Sequence, residues 1–315
     1  MTLEKIPVRR LLRPEFILGC LALAWFAGSG CSIRHYALTK AADALAHSGT
    51  AFSSDDDPEL IKAAAPFSLK LMESLLAEDP RHTGLLTAAA SGFTQYAYAF
   101  VQEDADELEP SDLAAAEALR ARARRLYLRA RSYGLRGLEV KHRAFAETLL
   151  INPKDAVRAT TKSDVPLLYW TAAALASAIS LSKDNPELIG QIPAMAALIE
   201  RALELDEGYG HGAIHTFMIS YEMGKPGASG DAEARARRHF ERALALSKGH
   251  DASPLVALAE AVTIQKQDVK EFESLLNRAL AIDPDATPDN RLSNGVMQRR
   301  ARWLLSRKSE LFLTE

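Results

Sequence analysis

Ala236-Arg237-Arg238-His239-Phe240-Glu241-Arg242-Ala243 places one residue, then three others, a bulky residue, two others and an alanine. The spacing returns as Ala123, Tyr127 and Ala130, as Met195, Ile199 and Ala202, and as Phe272, Leu276 and Ala279. Steps of four and then three keep all three side chains on one face of an α-helix. The terminal alanine has a mechanical reason. Where two helices cross closely, a large side chain holds them apart and a methyl group does not.

Working outward, Ala243 and Ala279 lie 36 residues apart, close to the 34-residue period of tetratricopeptide repeats. Ala130 and Ala202 lie 72 apart, about two such units. Preceding segments fit the first half of that repeat in part: Leu86 with Ala89, Ala90 and Phe93, and Trp170 with Ala173, Ala174 and Ser177. The distance from Trp170 to Ala202 leaves an insertion around Lys183 to Gln191, and that from Leu86 to Ala130 a larger one holding the acidic run Glu103 to Glu109. The reading is an all-α fold, a degenerate tetratricopeptide-like array of about four helical hairpins stacked on a continuous core. A generic helical bundle with chance alanine spacing is the alternative.

Composition agrees. Alanine makes up 54 of 315 residues, and it is the best helix former because it loses no side-chain entropy in a helix. Alternating β-branched runs are scarce, which argues against a sheet protein. A net charge of −3 gives no basic excess for nucleic acid. Polar–proline pairs punctuate the helices. Asp57-Pro58-Glu59 and Asn185-Pro186-Glu187 each put a capping side chain before a first-turn proline. Asp79-Pro80 and Asp283-Pro284 read as stops, and Met223 to Gly230 as a loop.

The N-terminus reads as an address. Lys5, Arg9, Arg10 and Arg13 precede an apolar stretch from Phe16 to Gly28. As a helix that stretch spans roughly 20 Å, short of a ~30 Å hydrocarbon core. Small residues Gly28-Ser29-Gly30 then lead into Cys31, as in a bacterial lipobox, although Leu is usual where Gly28 stands. Residues 1–30 are therefore expected to be a lipoprotein signal peptide and 31–315 one helical-repeat domain, with Cys31 lipidated. Cys20 and a twin-arginine signal at Arg9-Arg10 are the competing readings. With Cys31 acylated, no thiol is left for a disulfide. Ser32 follows Cys31 where Asp would suggest inner-membrane retention, which favours the outer membrane. No later segment approaches 18 uninterrupted apolar residues.

Several stretches, taken in order, resemble one family. They include Phe52-Ser53-Ser54-Asp55-Asp56-Asp57-Pro58-Glu59-Leu60, Ser91-Gly92-Phe93-Thr94-Gln95-Tyr96-Ala97-Tyr98-Ala99-Phe100 and Asp164-Val165-Pro166-Leu167-Leu168-Tyr169-Trp170. Arg201-Ala202-Leu203-Glu204-Leu205-Asp206-Glu207 and Gln298-Arg299-Arg300-Ala301-Arg302-Trp303-Leu304-Leu305 continue the set. Over roughly residues 31–312 the chain resembles the TRAP transporter T-component (TatT) family of bacterial lipoproteins. The resemblance implies a periplasm-facing accessory protein that works with the solute-binding protein of a TRAP-type uptake system. It also implies a homo-oligomer, expected to be a trimer, with a channel or cleft between helices. A second class of function is an envelope scaffold with no solute role, and a third is a hydrolase hidden in the insertions.

Gln95, Tyr96, Tyr98, Tyr169, Trp170 and His215 are the candidate ligand or cleft-lining residues. Most offer a polar tip on an aromatic body, which suits an amphipathic solute and equally suits packing between hairpins. His211 and His215 have i, i+4 spacing, but no third metal ligand is evident. Asp55-Asp56-Asp57 lacks the alternation of a calcium loop. The arginines Arg120 to Arg131, and Arg299, Arg300 and Arg302, read as solvated faces with acid–Arg pairs; binding of an acidic solute or partner is the sharper alternative. No phosphate loop, nucleophile elbow or usable cysteine is present, so no enzyme activity, cofactor or metal is expected.

Overall fold

The computed structural model describes residues 39, 40, 42–46, 49–225 and 230–313. Residues 1–38, with the expected signal peptide, Cys20 and the expected lipidation site Cys31, and residues 226–229 of the expected loop, lie outside them. Every regular element among the described residues is helical. Ten helices carry the frame: α1 (Pro58–Glu78), α2 (Thr83–Ala97), α3 (Leu113–Glu139), α4 (Val165–Ser180), α5 (Ile192–Leu205), α6 (Ala213–Gly224), α7 (Ala232–Leu246), α8 (Ser253–Leu258), α9 (Val269–Leu280) and α10 (Arg291–Ser306). Two run further than their labels. α2 passes through a π turn, Tyr98–Gln102, into Glu103–Leu108, and α8 through a second, Ala259–Thr263, into Ile264–Lys266.

The helix starts follow the capping signals. Asp57 Oδ1 accepts the Leu60 N–H at 3.0 Å, and Asn185 Oδ1 accepts from Glu187 and Leu188. Asp112, Asp231 and Asp268 do the same for α3, α7 and α9. Each such cap satisfies an orphan donor and is worth about 1 kcal/mol. His82 caps α2 through Nδ1, with its other ring nitrogen 3.2 Å from Asp43.

Consecutive helices pack as pairs, α2 on α3, α4 on α5, α6 on α7 and α8 on α9. Ala130, Ala202, Ala243 and Ala279 are all buried, as are Tyr127, Ile199 and Leu276 from the same spacing. The expected insertion near Lys183 holds a short helix, Pro186–Ile189, and the acidic run forms the end of the lengthened α2.

Between pairs, α3 and α4 approach closely at two glycines. A Cβ on Gly137 would stand 2.5 Å from Leu167 Cδ2, and one on Gly134 2.1 Å from Thr171 Oγ1. Gly137→Ala is therefore expected to lower stability by about 1–3 kcal/mol through overpacking, despite alanine's better helix propensity. A thermal melt that shows the variant at or above wild type contradicts this.

The core runs along the chain as three apolar clusters. One apolar cluster runs from Ala42 to Tyr133 and Val140, a second from Leu135 to Tyr221, and a third from Ile219 to Phe312. The last helix then returns to the first. Val296 of α10 belongs to the cluster of α1 and α2, and Met297 touches both the first and third clusters. An Arg291 guanidinium nitrogen donates to the Ser54 carbonyl at 3.2 Å.

Candidate functional site

Side chains from α2 and α8 meet α10 at this seam. Arg300 donates through Nε and Nη2 to Glu260 Oε1, at 3.0 and 2.6 Å, and through Nη1 to Asp106 Oδ2 at 2.9 Å. Its neighbour Arg299 binds Glu107 at 2.7 and 2.8 Å and Asp104 at 3.0 Å, and Lys62 reaches Asp104 from α1. Arg120 approaches Asp106 from the other side and also binds Glu109 and Glu117. Trp303 is flanked by Arg300 at 4.3 Å and Arg307 at 5.4 Å from its ring centroid, a cation–π arrangement. The arginines read from sequence as a solvated face thus join acids nearly 200 positions away. The Arg300 side chain is only 13% exposed.

Under this network lies Glu103. It is 1% exposed, and the Tyr98 hydroxyl is the neighbour that offers its carboxyl a hydrogen bond. Burial pushes its pKa up to about 8, against the Arg300 charge, the Tyr98 hydroxyl and the Arg299 charge, which pull it down. At neutral pH the group is a carboxylic acid. Tyr98 is raised well above its ordinary value, first by burial and then by Glu103 and Glu260. Tyr127 donates to Gln102 Oε1 at 2.7 Å. Both π turns supply residues here: Tyr98 and Gln102 bound the first, and Glu260 lies in the second. A π turn adds one residue to the helical circuit and re-aims the side chains around it.

The other candidates fall into separate groups. Tyr96 is buried, stacked obliquely near Phe100 with the Arg122 guanidinium over its ring, whereas Gln95 beside it is exposed. Tyr169 packs edge-on against Trp170 at 4.9 Å and against Tyr209 at 5.3 Å. His215 is buried, its Nδ1 2.8 Å from His239 Nδ1 and its Nε2 3.3 Å from Glu207. Glu207 is held at about 2, first by its hydrogen bond to Arg242, so it stays ionised and keeps a proton on His215 Nε2. His215 Nδ1 then accepts from His239, a tie between α6 and α7. Burial depresses the pKa of both rings. His211 is exposed, with a left-handed backbone. Among the described residues, no group of three or more His, Cys, Asp or Glu is placed to hold a metal ion. A surface depression of about 430 Å³ lies elsewhere, between α3 and the end of α4, lined by Arg120, Arg124, Ser180 and Lys183 among others.

Tyr98 is thus the one sequence candidate in the seam. Glu103, Gln102, Tyr127, Glu260 and Arg300 were missed as a group, because their association depends on α10 returning to α2. The signal available in sequence was an acidic run, Glu103 to Glu109, matched in sign by Arg299 and Arg300.

Fold and site define an all-helical protein of paired helices, with a network of ion pairs where the last helix meets the first ones. The chain belongs to the TRAP transporter T-component family, whose model matches residues 54–312. It is similar to an uncharacterized protein of Treponema pallidum (strain Nichols), with 30% identity over 319 residues that cover 95% of this chain and 99% of the relative. Family membership gives the protein an accessory role in TRAP transport and a cell-envelope setting. No helix among the described residues is long and apolar enough to cross a membrane.

Proposed function

We propose that the mature chain begins at a lipidated Cys31, faces the periplasm from the outer membrane, and binds the solute-binding protein of its TRAP system. In this reading residues 31–315 form one degenerate tetratricopeptide-like array, assembled as a homotrimer, that holds or passes on the solute. The observation that carries it is the family match over residues 54–312, the whole body of paired helices. Repeat surfaces of this kind offer extended binding area without catalytic chemistry.

One surface feature supports a protein-binding role. Leu60, Phe67 and Leu71 are 56%, 73% and 41% exposed. Their spacing puts them on one face of α1, where a contiguous apolar patch suits a partner or a second copy.

The test is copurification. Tagged mature protein should capture the solute-binding protein of a TRAP system; capture of neither that protein nor a small molecule refutes the transport reading and leaves the envelope scaffold. Cys31→Ser should move the protein from the membrane fraction to the soluble periplasmic fraction, since acyl chains supply the anchor. Continued retention overturns the lipid tether.

A further inference from the structure

We infer that a row of arginines on α3 and the exposed apolar stripe of α1 form one docking face for a protein partner that presents carboxylates around an apolar contact. The inference rests on the protein-binding reading above and adds to it the face and the chemistry of the partner.

The first observation is a local surplus of positive charge. From Arg120 to Arg136, α3 carries seven arginines and no acid, although the chain as a whole has a net charge of −3. The sequence reading expects acid–Arg pairs along this helix. Among the described residues, only Arg120 and Arg129 of the seven have a carboxylate partner. Arg122, Arg125, Arg129 and Arg136 stand three, four and seven apart and so share one face of the helix.

The second is how these groups are held. The Arg122 guanidinium lies over the Tyr96 ring at 5.8 Å, Arg129 over Phe93 at 5.1 Å and Arg136 over Tyr133 at 5.2 Å from the ring centroid. Phe93 and Tyr133 are themselves stacked at 5.8 Å. Arg122 gives one donor to the Tyr96 hydroxyl and Arg136 one to the Pro80 carbonyl. A cation placed over an aromatic face is positioned without being neutralised, so its remaining N–H donors stay available to a carboxylate.

The third is the apolar neighbour. Helical spacing sets the exposed Leu60, Phe67 and Leu71 on the side of α1 opposite the buried Leu69 and Leu76. Lys70 stands between this stripe and α3. It binds Glu73 at 2.6 Å, and Glu73 also accepts from Arg129 at 2.8 Å and from the Tyr133 hydroxyl at 2.6 Å. Three donors therefore engage the one carboxylate where the stripe meets the row. An apolar centre edged by arginines and aromatic rings is the make-up of a protein interface.

Charge complementarity selects the occupant. A surface bearing carboxylates is attracted by the row, and one bearing lysines is repelled. The row from Arg122 to Arg136 spans roughly 20 Å of helix, longer than one small anion. The stripe beside it calls for a matching apolar patch, which a free organic acid does not bring. The face therefore suits a protein surface, and its charged part makes association salt-sensitive.

The experiment uses the mature full-length protein and a fluorescent glutamate-rich peptide with a central Phe-Leu pair as probe. Anisotropy should show saturable binding that weakens about tenfold or more as salt rises from about 50 to 300 mM. Arg122→Glu/Arg125→Glu, at two exposed positions, should weaken it by about tenfold or more. Lys270→Glu/Arg278→Glu makes the same charge change at exposed positions of α9 and should bind within about twofold of wild type. Phe67→Ser should weaken binding severalfold. Thermal melts verify that the variants fold. No saturable binding, or binding unchanged in Arg122→Glu/Arg125→Glu or in Phe67→Ser, overturns the proposal. So does tighter binding to phosphatidylglycerol vesicles that the same arginine variant abolishes, which gives the face to a membrane. Capture of the solute-binding protein is read separately. Equal capture by wild type and Arg122→Glu/Arg125→Glu refutes the docking face. If wild type captures none while the peptide binds through these arginines, the face stands and the transport reading fails.

Discussion

Replacing Glu103 by Gln raises stability, and the gain widens as pH rises. The sign follows from linkage. The carboxyl titrates near 4.5 in the unfolded chain and near 8 in the folded one. Between those values the unfolded state gives up its proton and the folded state keeps it, so rising pH favours unfolding. The contribution is fully favourable below about pH 4.5 and is lost progressively up to about pH 8. At pH 7 the carboxyl costs on the order of 3 kcal/mol. Gln keeps the shape and has no proton to lose. Urea unfolding of both proteins at pH 5 and pH 8 checks this, with a small gap at the lower pH and several kcal/mol at the higher. A gap that does not widen shows that Glu103 is ionised in the fold.

The opposite substitution effect is expected at Arg300. Arg300→Met should destabilise by about 2–4 kcal/mol, because it leaves Glu260 a partly buried charge without its cation and Asp106 with Arg120 alone. The loss includes the cation–π contact with Trp303. Arg300→Lys should recover less than half of it, since a single ammonium cannot span two acids as a planar guanidinium does. Arg299, whose side chain is 34% exposed, is the internal comparison, and Arg299→Met should cost about 1 kcal/mol or less. Denaturant midpoints of the three variants decide the matter. Equal losses at 299 and 300 would show that burial of the seam contributes little.

Local rules carried much of the fold from the sequence. Asp57 and Asn185 cap where a polar residue precedes proline, because that signal is complete within one helical turn. Ala130, Ala202, Ala243 and Ala279 are buried because close helix crossings admit only small side chains, and that requirement repeats along the chain. Nonlocal facts stayed hidden. Arg300 looked like one more cation on a helix surface, since its partners Asp106 and Glu260 stand 194 and 40 positions away. Glu103 looked like one acid in an acidic run, and nothing in its neighbours announces that it alone is sealed from water. The π turns were equally invisible, as no residue type marks them. His215 was singled out for its spacing from His211, but its partner is His239, on the next helix.

The return of α10 to α1 and α2 has a consequence for how the molecule comes apart. In an open stack each unit answers only to its neighbours, the ends fray first, and units can be added or removed at little penalty. Here the two ends brace each other, so neither is an end in the energetic sense. Their joining waits for contacts nearly 200 residues apart in sequence, which makes assembly slow and loss of the last helix felt at the first. Truncation before α10 would bare apolar surface on α1 and α2 as well as on α9.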